Sequence, residues 1–199
     1  MLRPLLILAA LLPAGTGALA AQADYYARVG AVGASDLLRD VLGTEIPVRQ
    51  SIAPMIALGG SVPISPGYRV GLEAVVSSGS FHSEELGVET DLGTLRTGSL
   101  LLNLEGVIAP GFRWRAGAGA ISYWPADDEG IFARGGTTRW LAGIGADYRR
   151  PVLPAWDLMA SARYDYHRFT TEELKQRGFS GEQSVGRVSL SVGLGRRLP

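Results

Sequence analysis

The sequence predicts an all-β protein: an eight-stranded, antiparallel, up-and-down transmembrane β-barrel behind a cleaved N-terminal signal peptide. Three observations predict it. Eight segments alternate apolar and polar residues with a period of two. The connections between them are alternately long and short. The apolar parity of the segments carries aromatic residues toward both ends and aliphatic residues between. At 199 residues the chain fits one domain.

Residues 1–20 read as a secretory signal peptide. Arg3 supplies the positive charge, residues 5–12 form an unbroken apolar run, and Ala18-Leu19-Ala20 is a small-x-small cleavage site. The apolar run is far shorter than the roughly 20 residues that span a bilayer as a helix, which disfavours an N-terminal anchor. The mature domain is 21–199. Charge is balanced, 19 basic against 19 acidic residues, so nothing argues for nucleic acid. Lys175 is the one lysine; the arginine preference suits bidentate pairing with carboxylates. With no cysteine there is neither a disulfide framework nor a thiolate metal site. After the signal no apolar run reaches helical spanning length, so membrane insertion requires a barrel.

The first strand, 24–33, sets Tyr25, Ala27, Val29 and Ala31 against Tyr26, Arg28, Gly30 and Val32. The second, 51–62, groups Ile52, Ile56, Leu58 and Val62; Pro54 demands a strand end or a bulge. The third, 68–77, sets Tyr68, Val70, Leu72, Ala74 and Val76 against Arg69, Gly71, Glu73, Val75 and Ser77. In the fourth, 94–107, Leu100, Leu102 and Leu104 oppose Ser99, Asn103 and Glu105. The fifth, 112–124, sets Phe112, Trp114, Ala116, Ala118 and Ala120 against Arg113, Arg115, Gly117, Gly119 and Tyr123. The sixth, 138–149, sets Trp140, Ala142, Ile144, Ala146 and Tyr148 against Arg139, Gly143, Gly145, Asp147 and Arg149. The seventh, 156–169, has the sharpest contrast: Leu158, Ala160, Ala162, Tyr164 and Tyr166 against Asp157, Met159, Ser161, Arg163, Asp165 and His167. The eighth, 184–198, sets Val188, Leu190, Val192, Leu194 and Leu198 against Arg187, Ser189, Ser191, Gly193 and Gly195.

Short turns fall at 63–67, 109–111 and 151–155, and long connections at 33–50, 79–93, 125–136 and 170–183. Antiparallel succession puts every long connection at one end, with the short turns and both mature termini at the other, as in transmembrane barrels with short periplasmic turns and long external loops. In the last loop Thr171 caps a short helix, with Glu172 and Glu173 in its first turn, Lys175 and Arg177 near its end and Gly178 as its stop. Residues 35–43 read as a similar helical turn.

The charged parity faces inward. Arg28, Arg69, Glu73, Glu105, Arg113, Arg115, Arg139, Asp147, Arg149, Asp157, Arg163, Asp165 and Arg187 share it with Gly71, Gly117, Gly119, Gly143, Gly145, Gly193 and Gly195. Glycine weakens a strand unless something must approach closely, and in a narrow barrel it leaves room for arginine side chains. Tyr25, Tyr68, Phe112, Trp114, Tyr148 and Trp156 form one aromatic belt, and Trp124, Trp140, Tyr164 and Tyr166 the other. The soluble alternative, a lipocalin-like barrel with its apolar face inside, puts its large rings centrally.

In this pattern and topology the mature chain resembles the small eight-stranded outer-membrane proteins of the OmpA-transmembrane-domain and OmpX type. The resemblance implies a Gram-negative outer membrane with its lipids and lipopolysaccharide, insertion by the barrel-assembly machinery, periplasmic termini and a lumen filled by an ionic network. Such barrels commonly end in an outward aromatic; here Leu198 stands at that parity.

Arg28, Arg69, Glu73, Glu105, Arg113, Arg115, Arg139, Asp147, Arg163, Asp165, His167 and Arg187 are the expected interior network, with Arg163 and Asp165 at its centre. The expected role is structural or surface interaction through the external loops with a partner the sequence does not name. Two alternatives remain. One is a narrow ion path through Glu73, Glu105, Arg115, Arg163 and Asp165. The other is a lipid-modifying enzyme in which His167, two residues after Asp165, activates a hydroxyl such as Thr170, Thr171 or Ser180. Glu84, Glu85, Glu89 and Asp91, and Asp127, Asp128 and Glu129, read as solvated loop charge without the spacing of a calcium loop. No cofactor motif is present: the G-x-G pairs lie mid-strand, with no helix N-terminus behind them.

Overall fold

The structure is a computed structural model that describes residues 23–39, 47–85, 88–126, 130–176 and 182–197. The expected signal segment at 1–20, Leu198, Arg177, Gly178, Ser180 and the Asp127-Asp128-Glu129 group lie outside the described residues. Ten strands occur among the described residues: β1 (Asp24–Ala34), β2 (Leu38–Arg39), β3 (Pro47–Gln50), β4 (Ala53–Ser65), β5 (Tyr68–Glu85), β6 (Val88–Ala109), β7 (Phe112–Pro125), β8 (Thr137–Leu153), β9 (Trp156–Phe169) and β10 (Gln183–Arg197). Helix α1 (Glu172–Gln176) and a 3-10 turn (Gly130–Phe132) decorate the connections.

Eight strands close a ring in the order β1-β4-β5-β6-β7-β8-β9-β10, every pair antiparallel, with β10 returning to β1. Closure leaves no unpaired edge in lipid. The register sets the barrel's shape. From Phe112 the hydrogen-bonded row passes through Tyr148, Ala160, Val192, Val29, Ile56, Val76 and Gly98, and returns to β7 at Ser122, ten residues further along. A stagger of that size over eight strands tilts them by about 40° and leaves an interior that side chains fill. The row also climbs from the short-turn end toward the long-connection end.

Alternation places the faces as the sequence predicts. In β9, Asp157, Met159, Ser161, Arg163 and His167 are buried, while Leu158, Ala160, Ala162, Tyr164 and Tyr166 are exposed. Trp140 is 84% exposed, Ile144 64% and Leu190 62%, too much apolar surface for a face meeting water. The aromatic belts frame this band: Tyr25, Tyr68, Phe112, Tyr148 and Trp156 at the short-turn end, Trp124, Trp140, Tyr164 and Tyr166 at the other. Gly67 and Gly111 adopt φ of 81° and 79° in two of the short turns, a conformation most residues avoid. Pro54 sits on β4 opposite Ala31, its side chain exposed.

Two sequence expectations need correction. The described residues of 79–93 are not a loop. β5 and β6 continue through them as a paired ribbon, with Ser83 opposite Thr90 and Glu85 opposite Val88, beyond a bulge after Ser80. From Val88 to Leu92 both faces are exposed, so no hydropathic alternation marks that strand. The helical turn expected at 35–43 is also absent from its described part. Leu38–Arg39 instead pairs with β3, and β3 with the outer end of β5 through Val48–Ser83 and Gln50–Phe81. By contrast α1 starts where Thr171 caps it: its Oγ1 accepts the Leu174 N–H at 3.2 Å.

Candidate functional site

The lumen has two storeys. Over the short-turn half and the middle, inward positions carry the buried charges, with apolar Met55, Ala57 and Met159 among them, and tilted strands bring side chains from opposite walls together. Arg115 on β7 is the hub, its side chain fully buried. One guanidinium nitrogen donates to Glu73 Oε2 (2.6 Å) and the Tyr26 hydroxyl (3.2 Å), the other to Asp147 Oδ1 (3.1 Å) and Ser161 Oγ (3.0 Å). Arg28 bridges the same two carboxylates, contacting Glu73 and lying 3.2 Å from Asp147. Tyr26 donates its hydroxyl to Glu73 at 2.7 Å. Arg163 reaches Asp165 (2.5 Å), Asn103 (2.9 Å) and, more distantly, Glu73 (3.8 Å). Such buried charges are tolerable because cations and carboxylates match and each is hydrogen-bonded.

A second cluster lies nearer the short turns. Arg149 pairs with Asp24 (3.2 Å) and Glu105 (3.1 Å), Arg69 with Asp24 (3.3 Å), and Arg113 stands 3.8 Å from Glu105. Arg197 and Asp157 lie 3.2 Å apart. The remaining expected members sit elsewhere. Arg187 is buried but bonds hydroxyls, Thr97 at 3.0 Å and Ser77 at 3.3 Å. Arg139 donates to the Thr170 carbonyl, outside both clusters. The centre is therefore Arg115 with Glu73 and Asp147; Arg163 and Asp165 form its flank. Tyr26, Asn103 and Ser161 belong to the network although the charge pattern does not reveal them.

The glycines explain how the arginines fit. A Cβ on Gly143 would overlap Asp165 and Arg163, and one on Gly117 would overlap the Asn103 amide. At Gly71, Gly119 and Gly193 the obstacle is instead the backbone of the neighbouring strand. The gap left between Arg28, Glu73, Arg115 and Arg163 is about 20 Å³, room for one water.

The outer storey is apolar. Leu37, Val48, Phe81, Leu95, Leu101, Ile121, Tyr123, Phe132, Leu141, Phe169, Leu174 and Val185 form one buried cluster. The 3-10 turn and α1 lower Phe132 and Leu174 into the mouth, and Phe132 packs edge-on against Phe81 (5.7 Å) and Phe169 (6.0 Å). Thr171 Oγ1 donates to the Ile131 carbonyl at 2.6 Å, tying the two connections together. The expectation of a wholly ionic lumen thus holds for only part of its height.

His167 lies beneath this plug. Its Nε2 is 2.6 Å from the Tyr123 hydroxyl, while Nδ1 has no hydrogen-bond partner among the described residues. Asp165 is engaged by Arg163, and the Thr170 and Thr171 hydroxyls both donate to carbonyls. These positions do not assemble a carboxylate–imidazole–hydroxyl relay. Among the described residues no group of three His, Asp or Glu is placed to hold a metal ion.

Closed ring, stagger, inside-out faces and filled lumen together define the fold of the small outer-membrane β-barrels. Two solved structures share it at low identity. Neisserial surface protein A (NspA) matches at 13% identity and a TM-score of 0.55, over 88% of this chain and 96% of that one. The outer membrane protein AlkL, solved by solid-state NMR in DMPC bilayers, matches at 14% identity and 0.53, over 88% and 90%. No protein-family model and no curated protein matches the chain.

Proposed function

We propose that this chain is an exported outer-membrane barrel with a structural and surface-interaction role, working through its external end rather than its lumen. On this reading residues 1–20 are removed, and the barrel-assembly machinery inserts the remainder with both termini in the periplasm. The surrounding lipids and lipopolysaccharide then cover the apolar band. The observation that carries the reading is the filled lumen: an ionic lower storey whose gap among Arg28, Glu73, Arg115 and Arg163 is about 20 Å³, and an apolar plug above it. A general pore has no room. The external end offers a surface instead, a sheet built by the β5–β6 ribbon with β3 and β2 at its side. Val88, Glu89, Thr90, Asp91 and Leu92 stand exposed on that ribbon.

The test has two arms. The intact protein in a planar bilayer is expected to show no steady conductance. Replacing residues 82–91 by an Asn-Gly turn is expected to keep heat-modifiable gel migration while abolishing binding of expressing cells to the surfaces they otherwise adhere to. Steady single-channel currents from the intact barrel would overturn the reading in favour of an ion path. Altered lipid A on expression, abolished by His167→Ala, would overturn it in favour of the enzyme.

A further inference from the structure

The lipid face is not uniform around the barrel. At the short-turn end the outward belt is uncharged on β1, β5 and β7, where Tyr25, Tyr68, Phe112 and Trp114 occupy it. On β8 and β10 it carries two exposed arginines, Arg150 and Arg196, with Trp156 of β9 between them. Arg150 is opposite Leu158, Leu158 is opposite Leu194, and Trp156 is opposite Arg196. Because the hydrogen-bonded row climbs from β8 to β10, residues at one depth fall about one position lower per strand. Arg150, Trp156 and Arg196 therefore share one level in the membrane. Arg196 holds its guanidinium carbon 5.7 Å from the Trp156 ring. Neither guanidinium has an ion pair among the described residues, and β8, β9 and β10 present no carboxylate on this face.

Directly above the triad lies a groove of about 450 Å³ in the lipid face. Its floor is Ala146, Ala160 and Ala162, and its walls are Phe112 and Tyr148 on one side and Leu190 and Val192 on the other. On β9 the outward positions run Trp156, Leu158, Ala160, Ala162, from the cationic level straight into the groove.

We propose that β8, β9 and β10 form a binding site for one anionic glycerophospholipid of the periplasmic leaflet. Its phosphate lies between Arg150 and Arg196 beside Trp156, and an acyl chain lies in the alanine-floored groove. Charge complementarity selects the ligand: paired cations at the level of the headgroups attract a phosphate that a zwitterionic lipid partly neutralises with its own amine. The short-turn end selects the leaflet, which makes the site depend on the orientation proposed above. The triad supplies charge at the interface and the groove supplies shape, so the two can be tested apart.

The test is native mass spectrometry of the folded barrel in dodecyl maltoside, titrated with dioleoyl phosphatidylglycerol or dioleoyl phosphatidylethanolamine. One phosphatidylglycerol is expected to be retained and phosphatidylethanolamine is not. In Arg150→Gln/Arg196→Gln retention falls about thirtyfold, since each basic side chain at an anionic surface contributes about 1 kcal/mol and 1.4 kcal/mol is tenfold. Filling the groove with Ala160→Leu/Ala162→Leu, which leaves both arginines in place, also weakens retention. A merely electrostatic surface would not respond to that change. Equal retention of both lipids, or unchanged retention in either variant, overturns the site. So does a dimer cross-linked through Ala160→Cys, which would give the groove to a second copy. Heat-modifiable migration of each variant reports the barrel separately, so a lost site and a lost fold read differently.

Discussion

Arg115→Met removes the hub of the ionic storey while nearly conserving volume. Three buried arginines, Arg28, Arg115 and Arg163, face three carboxylates, Glu73, Asp147 and Asp165, in the central cluster. The variant leaves one negative charge in excess and deletes the hydrogen bonds of Arg115 to Glu73, Tyr26, Asp147 and Ser161. Removing one partner of a buried pair costs about 3–5 kcal/mol, chiefly because the other charge remains without compensation. With a urea dependence of about 1–3 kcal/mol per molar, the unfolding midpoint in lipid vesicles falls by at least about 1 M. Tryptophan fluorescence and gel migration after equilibration in urea both follow it. A second variant separates charge from packing: Arg115→Met/Asp147→Asn restores the balance and is expected to lose less than the two single changes added together. A loss below about 1 kcal/mol for Arg115→Met, or strict additivity in the double variant, would refute the account of the lumen as a charge-compensated core.

Gly143→Ala puts a methyl group where Asp165 and Arg163 meet; overpacking of that kind costs about 1–3 kcal/mol, readable in the same urea titration. Leu190→Arg, on the lipid face at 62% exposure, is expected to cost about 2–4 kcal/mol in vesicles. The same change with no effect in vesicles would argue for a face that meets water. Phe132→Ala hollows the plug, and large-to-small aromatic changes cost about 3–5 kcal/mol where the surroundings cannot collapse. Here the loss is expected to be local, with faster amide exchange in α1 and unchanged exchange in the transmembrane strands. Thr171→Ala removes the cap of α1, worth about 1 kcal/mol, together with the bond to the Ile131 carbonyl, and should speed exchange in α1 while leaving the transmembrane strands unchanged.

The ring of strands was legible wherever one face meets lipid and the other does not, because burial then follows parity; β9 is the clearest case. Where that contrast stops, the pattern stops. In the ribbon, residues 88–92 are exposed on both faces, so their pairing leaves no hydropathic trace. The plug escapes notice for the opposite reason: Leu100, Leu101 and Leu102 are all apolar, yet Leu101 points inward and is fully buried while its neighbours face lipid. Parity puts Tyr26 on the inward face beside Arg28, but its bond to Glu73 on another strand leaves no mark in the local sequence. The hub was not legible either. Which arginine meets which carboxylate across a lumen depends on the stagger accumulated around eight strands, and no single strand's sequence records that sum.

The ion pairs also constrain how the chain is made. Arg28 and Asp147 are separated by 119 positions, and Asp24 and Arg149 by 125. Both pairs join β1 to β8, across the seam where the first strand meets the last. Until β1 and β10 zip together, the bonds that Arg28 and Asp24 make to β8 would be missing, and an ion left without its partner in hydrocarbon costs several kcal/mol. Partial barrels are therefore excluded from the lipid as stable species. Closure, charge neutralisation and membrane entry become one cooperative event, and a chain shortened at either end loses all three together.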